Sequence, residues 1–228
     1  ITGKPKKLDP LNPYKMESKL SRIKLKHAVI TSVNRDDLVD GGADHFKDVI
    51  AQTKILNNNT TVEILTPDFL RKGSAFKKVI DAQPDVFNHN IETVPSLYRA
   101  VRPGSRYDAS IELLSNVKTL NKNIFTKSGL MVGFGETKKE ILSVMDDLRR
   151  ASVDFLTIGQ YLQPSVKHYP LVRYYKPYEF EDLKIEAIKR GFLLVSSSPL
   201  TRSSYHADED FLKLKKNRLL KNNAESTR

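Results

Sequence analysis

Asn88, His89, Asn90 and Glu92 crowd five positions that close the short apolar run Asp85-Val86-Phe87. Amides, an imidazole and a carboxylate at the end of a predicted strand stand where parallel α/β folds place their sites. Burying such groups is costly unless they are hydrogen-bonded or used. The group can therefore serve a polar ligand, or form a core network in which His89 is merely satisfied. The segment continues through Ile91, Thr93 and Val94 to Val101-Arg102-Pro103-Gly104-Ser105-Arg106-Tyr107.

Other polar groups follow the other apolar runs. Ser32-Val33-Asn34-Arg35-Asp36-Asp37 precedes Asp40-Gly41-Gly42-Ala43, where paired glycines let a ligand approach the backbone. The same residues read equally as a glycine turn capped by Asp40 ahead of a helix. Thr66-Pro67-Asp68-Phe69 follows the second run. The fourth carries Lys127 and ends Gly133-Phe134-Gly135-Glu136-Thr137, which lacks both a dinucleotide fingerprint and a Walker lysine-serine pair. Gly159-Gln160-Tyr161-Leu162-Gln163-Pro164 offers further amides. The serine-rich stretch Ser196 to Ala207 has no Gly-x-Ser-x-Gly elbow to activate a nucleophile, so composition leaves its role open.

The elements that must position these residues are legible as alternating apolar runs and helical patterns. Strands are predicted at His27 to Val33, Thr61 to Leu65, Asp85 to Asn88, Thr126 to Val132, Phe155 to Ile158 and Phe192 to Val195. Helices are predicted at Tyr14 to Lys24, Asp44 to Leu56, Ala75 to Ile80, Ser96 to Val101, Ile111 to Leu120, Lys138 to Ala151 and Glu179 to Arg190, after a loop over Ile1 to Pro13. This alternation specifies βα units and a parallel sheet, open or closed into a barrel. The best-defined helix starts with Thr137 as cap and Glu140 as its capping-box partner, and Ile141, Val144, Met145 and Leu148 form its apolar face. One domain is expected over residues 1–207. Residues 208–228 are expected to form a basic helix fraying into a disordered tail.

At 228 residues, the chain can bury one sizeable core. No apolar run reaches the roughly 18 residues of a membrane span. A net charge of +11 predicts attraction to acidic partners. Nucleic acid is not expected among them, because there is no zinc finger, ribonucleoprotein motif or interleaving of basic and aromatic residues. There is no cysteine, so within these residues disulfides, thiolate zinc sites and cysteine-held iron–sulfur clusters are excluded. The chain opens on Ile1 with no signal or transit pattern, and is expected to be a fragment or processed product.

Five segments, in order, resemble lipoyl synthase, a radical S-adenosylmethionine family. They are His27 to Leu38 with Asp40-Gly41-Gly42-Ala43; Phe87 to Tyr107; Thr126 to Gly133 with Gly135-Glu136; Gly159 to Ser165; and Arg202-Ser203-Ser204-Tyr205-His206-Ala207. The resemblance implies an α/β fold, a partial TIM-like radical SAM barrel of six βα units. It also implies insertion of two sulfur atoms, at C6 and C8 of a protein-bound octanoyl chain, by a 5′-deoxyadenosyl radical. Two [4Fe–4S] clusters and S-adenosylmethionine are the implied cofactors, one cluster for radical generation and an auxiliary one that gives up sulfur.

By position, the resemblance makes Gly41, Gly42 and Ala43 the turn that receives the methionine end of S-adenosylmethionine, with Asn90 and Lys127, at the mouths of neighbouring strands, as further contacts. Ser204 becomes an oxygen ligand to the auxiliary cluster, with Ser203 as the alternative. The implied partners are octanoylated lipoyl domains of 2-oxoacid dehydrogenase complexes, the glycine cleavage H protein and iron–sulfur carrier proteins. The implied compartment is bacterial cytoplasm or, alternatively, mitochondrial matrix. Both cysteine motifs of the family are missing here. They, the first strand and the cluster loop are expected upstream of Ile1, and the chain is expected to be inactive alone. An alternative is a non-catalytic basic module that binds acidic lipoyl-domain proteins.

Overall fold

The computed structural model describes residues 5–70, 72–202, 204 and 206–226. Six strands lie side by side in chain order, all parallel: β1 (His27–Thr31), β2 (Thr61–Leu65), β3 (Val86–Asn88), β4 (Phe125–Val132), β5 (Phe155–Gln160) and β6 (Leu194–Ser197). The helices are α1 (Asn12–Ile23), α2 (Ala43–Leu56), α3 (Ala75–Asp81), α4 (Tyr98–Val101), α5 (Tyr107–Leu120), α6 (Lys138–Arg150), α7 (Pro177–Lys189) and α8 (Ala207–Ser226). This is the expected α/β architecture of a partial TIM-like barrel. No helix among the described residues is long and apolar enough to cross a membrane.

Several boundaries differ from the sequence reading, and three of the differences have identifiable reasons. β6 starts at Leu194 because Phe192 is drawn into the core between α6 and α7, and pairing begins only where Leu194 meets Phe155. β5 runs on through Gly159 and Gln160, which pair with Met131 and Val132. Pro95–Leu97 forms a 3-10 turn, so α4 has a single turn instead of a helix from Ser96. α6 has its complete capping box: the Thr137 hydroxyl accepts from Glu140 N at 3.2 Å, and the Glu140 carboxylate accepts from Thr137 N at 2.8 Å.

Strand periodicity sorts side chains onto two faces. Ile30, Val62, Ile64 and Phe87 point outward to Phe46 and Ile50 of α2, Val79 of α3 and Val117 of α5. Leu130, Val132, Leu156 and Ile158 do the same against α6 and α7. The inner face is different: His27, Glu63, Asn88 and Lys127 are all buried there. Its floor, at the N-terminal ends of β3, β4 and β5, is closed by α8, whose Phe211 and Leu214 join Val86, Phe125 and Phe155 in an apolar cluster. Phe211 also stacks on His27 of β1, with ring centroids 5.2 Å apart, and Asp210 accepts from Ser196 of β6. The helix touches both edge strands, so the sheet curls around it.

Candidate functional site

The polar block after β3 is built by an interruption in strand pairing. His89 N bonds Lys127 O at 3.1 Å, the chain then carries one extra residue over Asn90 and Ile91, and pairing with β4 resumes at Glu92. Glu92 N donates to Gly129 O and its carbonyl accepts from Met131 N, both at 2.9 Å. The Ser128 hydroxyl accepts from Ile91 N and pins the bulge from below. Resuming the ladder this way forces Glu92 to φ +68°, a region that non-glycine residues occupy at a cost of about 1–3 kcal/mol. Gly129 makes room: a Cβ there would lie 2.7 Å from Asn90 Oδ1 and 2.9 Å from Thr157 Oγ1.

His89 belongs to the scaffold. Thr66 O can only accept, so Nδ1 carries the proton and donates to it at 3.0 Å, which leaves Nε2 to accept from the Ser110 hydroxyl at 2.9 Å. Tyr98 OH donates to Ser110 Oγ, and Arg102 Nη1 donates both to Tyr98 and, at 3.1 Å, to the carbonyl of Asn90. Complete burial pushes the imidazole down to about 4, against the opposing pull of the Thr66 carbonyl, so it is neutral at pH 7. The satisfied-histidine reading is the one the structure bears.

Asn90 and Glu92 face a cavity of about 220 Å³ at the C-terminal ends of β1, β2 and β3, together with Asn34, Asp68 and Arg102. A second space of about 440 Å³ shares Asn34, Asp68 and Ser105 with it. Desolvation pushes the Glu92 carboxyl above its ordinary range, with the Arg102 charge and a hydrogen bond from Asn90 pulling the other way. A strained backbone and a desolvated acid beside a guanidinium mark this as the place where a ligand with amino or hydroxyl groups would be recognised.

The other predicted residues are not all brought here. Gly41 and Gly42 adopt φ +64° and +89°, and the Asp40 carboxylate accepts from Gly42 N at 3.0 Å and Asp44 N at 2.7 Å. That is the capped glycine turn, with buried Ala43 as the first residue of α2. Gly42 lines a different cavity, of about 260 Å³ between α1 and β1, which shares Thr31 and Ser32 with the Asn90 cavity. Lys127 does not stand at a strand mouth: it is the third residue of β4, 1% exposed, and its ammonium meets Glu63 at 2.9 Å and 3.2 Å. Ser204 is exposed in the turn before α8, and Ser203 lies outside the described residues. Glu92, Arg102 and Asp68 are the residues that sequence reasoning did not single out as contacts. The signal for each was its place after a predicted strand, Glu92 in the block beside Asn90, Arg102 in its continuation and Asp68 after the second run.

Thiolate ligands for an iron–sulfur cluster are absent from the 228 residues. Among the described residues no group of His, Asp and Glu could hold a metal ion either. The cluster-binding part of the implied chemistry does not fit the residues present, whereas the Asn90 cavity does offer polar walls to an organic ligand.

A sequence profile of the Radical SAM superfamily matches residues 1–148. Three solved structures are similar in shape. SuiB from Streptococcus suis bound to S-adenosylmethionine has a TM-score of 0.64 at 12% identity, covering 86% of this chain and 44% of that one. HydG, a maturase of the [FeFe]-hydrogenase, scores 0.64 at 15% identity, covering 93% and 49%. Methylornithine synthase scores 0.60 at 12% identity, covering 94% and 73%. The likeness at these identities concerns the fold, and the chain spans less than half the length of the first two.

Proposed function

Because this chain belongs to the Radical SAM superfamily, we propose that its Asn90 cavity takes S-adenosylmethionine and that the chain is the barrel wall of a lipoyl synthase. The observation that carries this reading is the strained, desolvated Glu92 opening with Asn90 and Arg102 onto one cavity. The finer assignment is supported by the five resembling segments, which span or follow β1, β3, β4, β5 and β6. In the superfamily S-adenosylmethionine supplies a carbon radical able to take hydrogen from an unactivated C–H bond, which no side chain can do.

The chain's own residues bind and aim. Glu92 accepts from amino or hydroxyl groups, Asn90 offers an amide beside it, and Arg102 positions both by holding the Asn90 carbonyl. Gly129 keeps the inner wall low enough for Asn90 to turn inward. In this reading the substrate is an octanoyl chain on a lipoyl domain, which gains sulfur at C6 and C8.

Calorimetric titration with S-adenosylmethionine tests the cavity. Saturable binding is expected, weakened about 10-fold or more in Glu92→Gln, the worth of one hydrogen bond to a charged group. Absence of saturable binding by the unaltered chain would overturn the reading. Surface plasmon resonance with an octanoylated lipoyl domain and its unacylated form tests the finer assignment, and equal binding of the two would remove it. The lack of thiolates favours a second reading, a non-catalytic module for acidic lipoyl domains. That module would bind the domain without binding S-adenosylmethionine.

A further inference from the structure

At the end of the sheet opposite Asn90 and Glu92, the C-terminal ends of α5 and α6 and one face of α8 enclose a groove of about 700 Å³. Lys118, Lys122, Arg149, Arg218 and Lys221 line it, with Asp154 as the single carboxylate. That carboxylate is engaged through one oxygen: its Oδ2 accepts from Lys118 Nζ, from Arg218 Nη2 at 3.1 Å and from Thr126 N at 2.9 Å. Further bonds of three of these cations go to neutral carbonyls, Lys118 to Ile124, Arg149 to Val153 and Arg218 to Asn123. Such bonds orient a cation without cancelling its charge. The C-terminal dipoles of α5 and α6 offset about half a charge each, so that, with Asp154 also set against them, Lys118, Lys122, Arg149 and Arg218 alone leave an excess of about two positive charges.

Burial makes that excess unfavourable in the protein by itself. Desolvation pushes Lys118, Arg149 and Arg218 below their ordinary ranges, although Asp154 pulls each of them up. Arg149 Nε is buried without an acceptor among the described residues. A buried donor left unsatisfied costs about 1–3 kcal/mol. Excess positive charge lining a concave, partly desolvated groove favours an anion over solvent alone.

We propose that this groove binds a multiply charged oxyanion of the phosphate class, with Lys122 and Lys221 at its rim and Arg149 and Arg218 at its base. Planar guanidinium forks match phosphoryl oxygens in geometry, and lysines add charge without directional demand. Isolated carboxylates would need several spaced side chains to deliver the charge that one pyrophosphate carries in a compact group. The site lies outside the S-adenosylmethionine cavity and stands whether or not that reading survives.

The test is calorimetric titration of the 228-residue chain with pyrophosphate at fixed ionic strength. Saturable binding is expected, weakened about 10-fold or more when Lys122→Glu is combined with Lys221→Glu, both exposed and outside the core. Lys47→Glu with Lys216→Glu makes the same charge change on exposed positions away from the groove and should alter affinity by less than about twofold. No saturable heat, or equal weakening by the two pairs, overturns the site in favour of general charge attraction. Substituting ADP for pyrophosphate separates the sources: tighter ADP assigns the phosphoryl end of a nucleotide, tighter pyrophosphate a free oxyanion, and either supports the groove.

Discussion

Lys127 Nζ lies 2.9 Å from Glu63 Oε1 on the inner face of the sheet, and their side chains are only 1% and 3% exposed. Desolvation pushes Glu63 up, but His27 at 3.6 Å, Lys127 and the Asn88 amide together hold it below the ordinary carboxylate range. Removing one partner from such a pair leaves the other charge buried and alone. Glu63→Gln is expected to cost about 3–5 kcal/mol in urea unfolding followed by circular dichroism. Glu63→Leu with Lys127→Met should recover more than half of that loss. An unchanged midpoint for Glu63→Gln would show that the pair carries no structural weight. Because the carboxyl is lowered, its contribution is complete above its unfolded value and disappears as pH falls through the folded one.

His89 predicts a second acid dependence in a higher window. The unfolded imidazole takes a proton near its ordinary 6.5, the folded one only near about 4. The unfolded state therefore binds more protons between those values, and stability falls as pH drops from 6.5 to about 4, by about 3 kcal/mol. Urea midpoints measured from pH 7 to pH 4 check this. His89→Gln should be less stable at pH 7 but flatter across the window, and an equally steep profile would assign the dependence elsewhere.

Gly129→Ala should separate binding from folding. The added methyl meets two side-chain oxygens, Asn90 Oδ1 at 2.7 Å and Thr157 Oγ1 at 2.9 Å, and Asn90 is the one at a bulge. Its displacement is expected to weaken S-adenosylmethionine about 10-fold or more, with a stability loss of about 1–3 kcal/mol from overpacking. Unaltered affinity would remove Asn90 from the binding set.

Phe211→Ala should loosen the floor of the barrel. The ring stacks on His27 and meets Phe125 edge-on at 5.9 Å, and the residue is 7% exposed. Truncation is expected to cost about 3–5 kcal/mol in urea unfolding. Hydrogen exchange should then rise first in α8. A change below about 1 kcal/mol would mean that α8 rests on the sheet without holding it.

The strands were legible because β-branched and aromatic residues bounded by turn residues leave few other readings, and Thr61–Leu65 was placed to the residue. The site was legible only as a region. Asn90 lines its cavity because Gly129 yields space across the sheet, a relation between strands that no local pattern carries. Glu92 is exceptional through its φ, which depends on where pairing resumes. Lys127 was misplaced because position along a strand says nothing of stagger between strands: β3 has already ended at its level. Glu63 had a signal, a lone carboxylate inside an apolar run, with the period putting it on the face opposite Val62 and Ile64. Gly41 and Gly42 offered two readings, and their geometry is that of the capped turn, with Asp40 accepting from the helix start.

The path from β1 to β6 never leaves sequence order, so each new strand finds its partner in the βα unit made just before it. Each pairing closes over a single helical crossover and not over the whole chain. α8 is the exception, since it must reach back to β1 and β6 at once. Until it arrives, the inner face holding His27, Glu63 and Lys127 is open to water, and the buried ion pair cannot yet have its full strength. Docking of α8 is therefore the step that makes folding cooperative, joining the first and sixth strands through one helix.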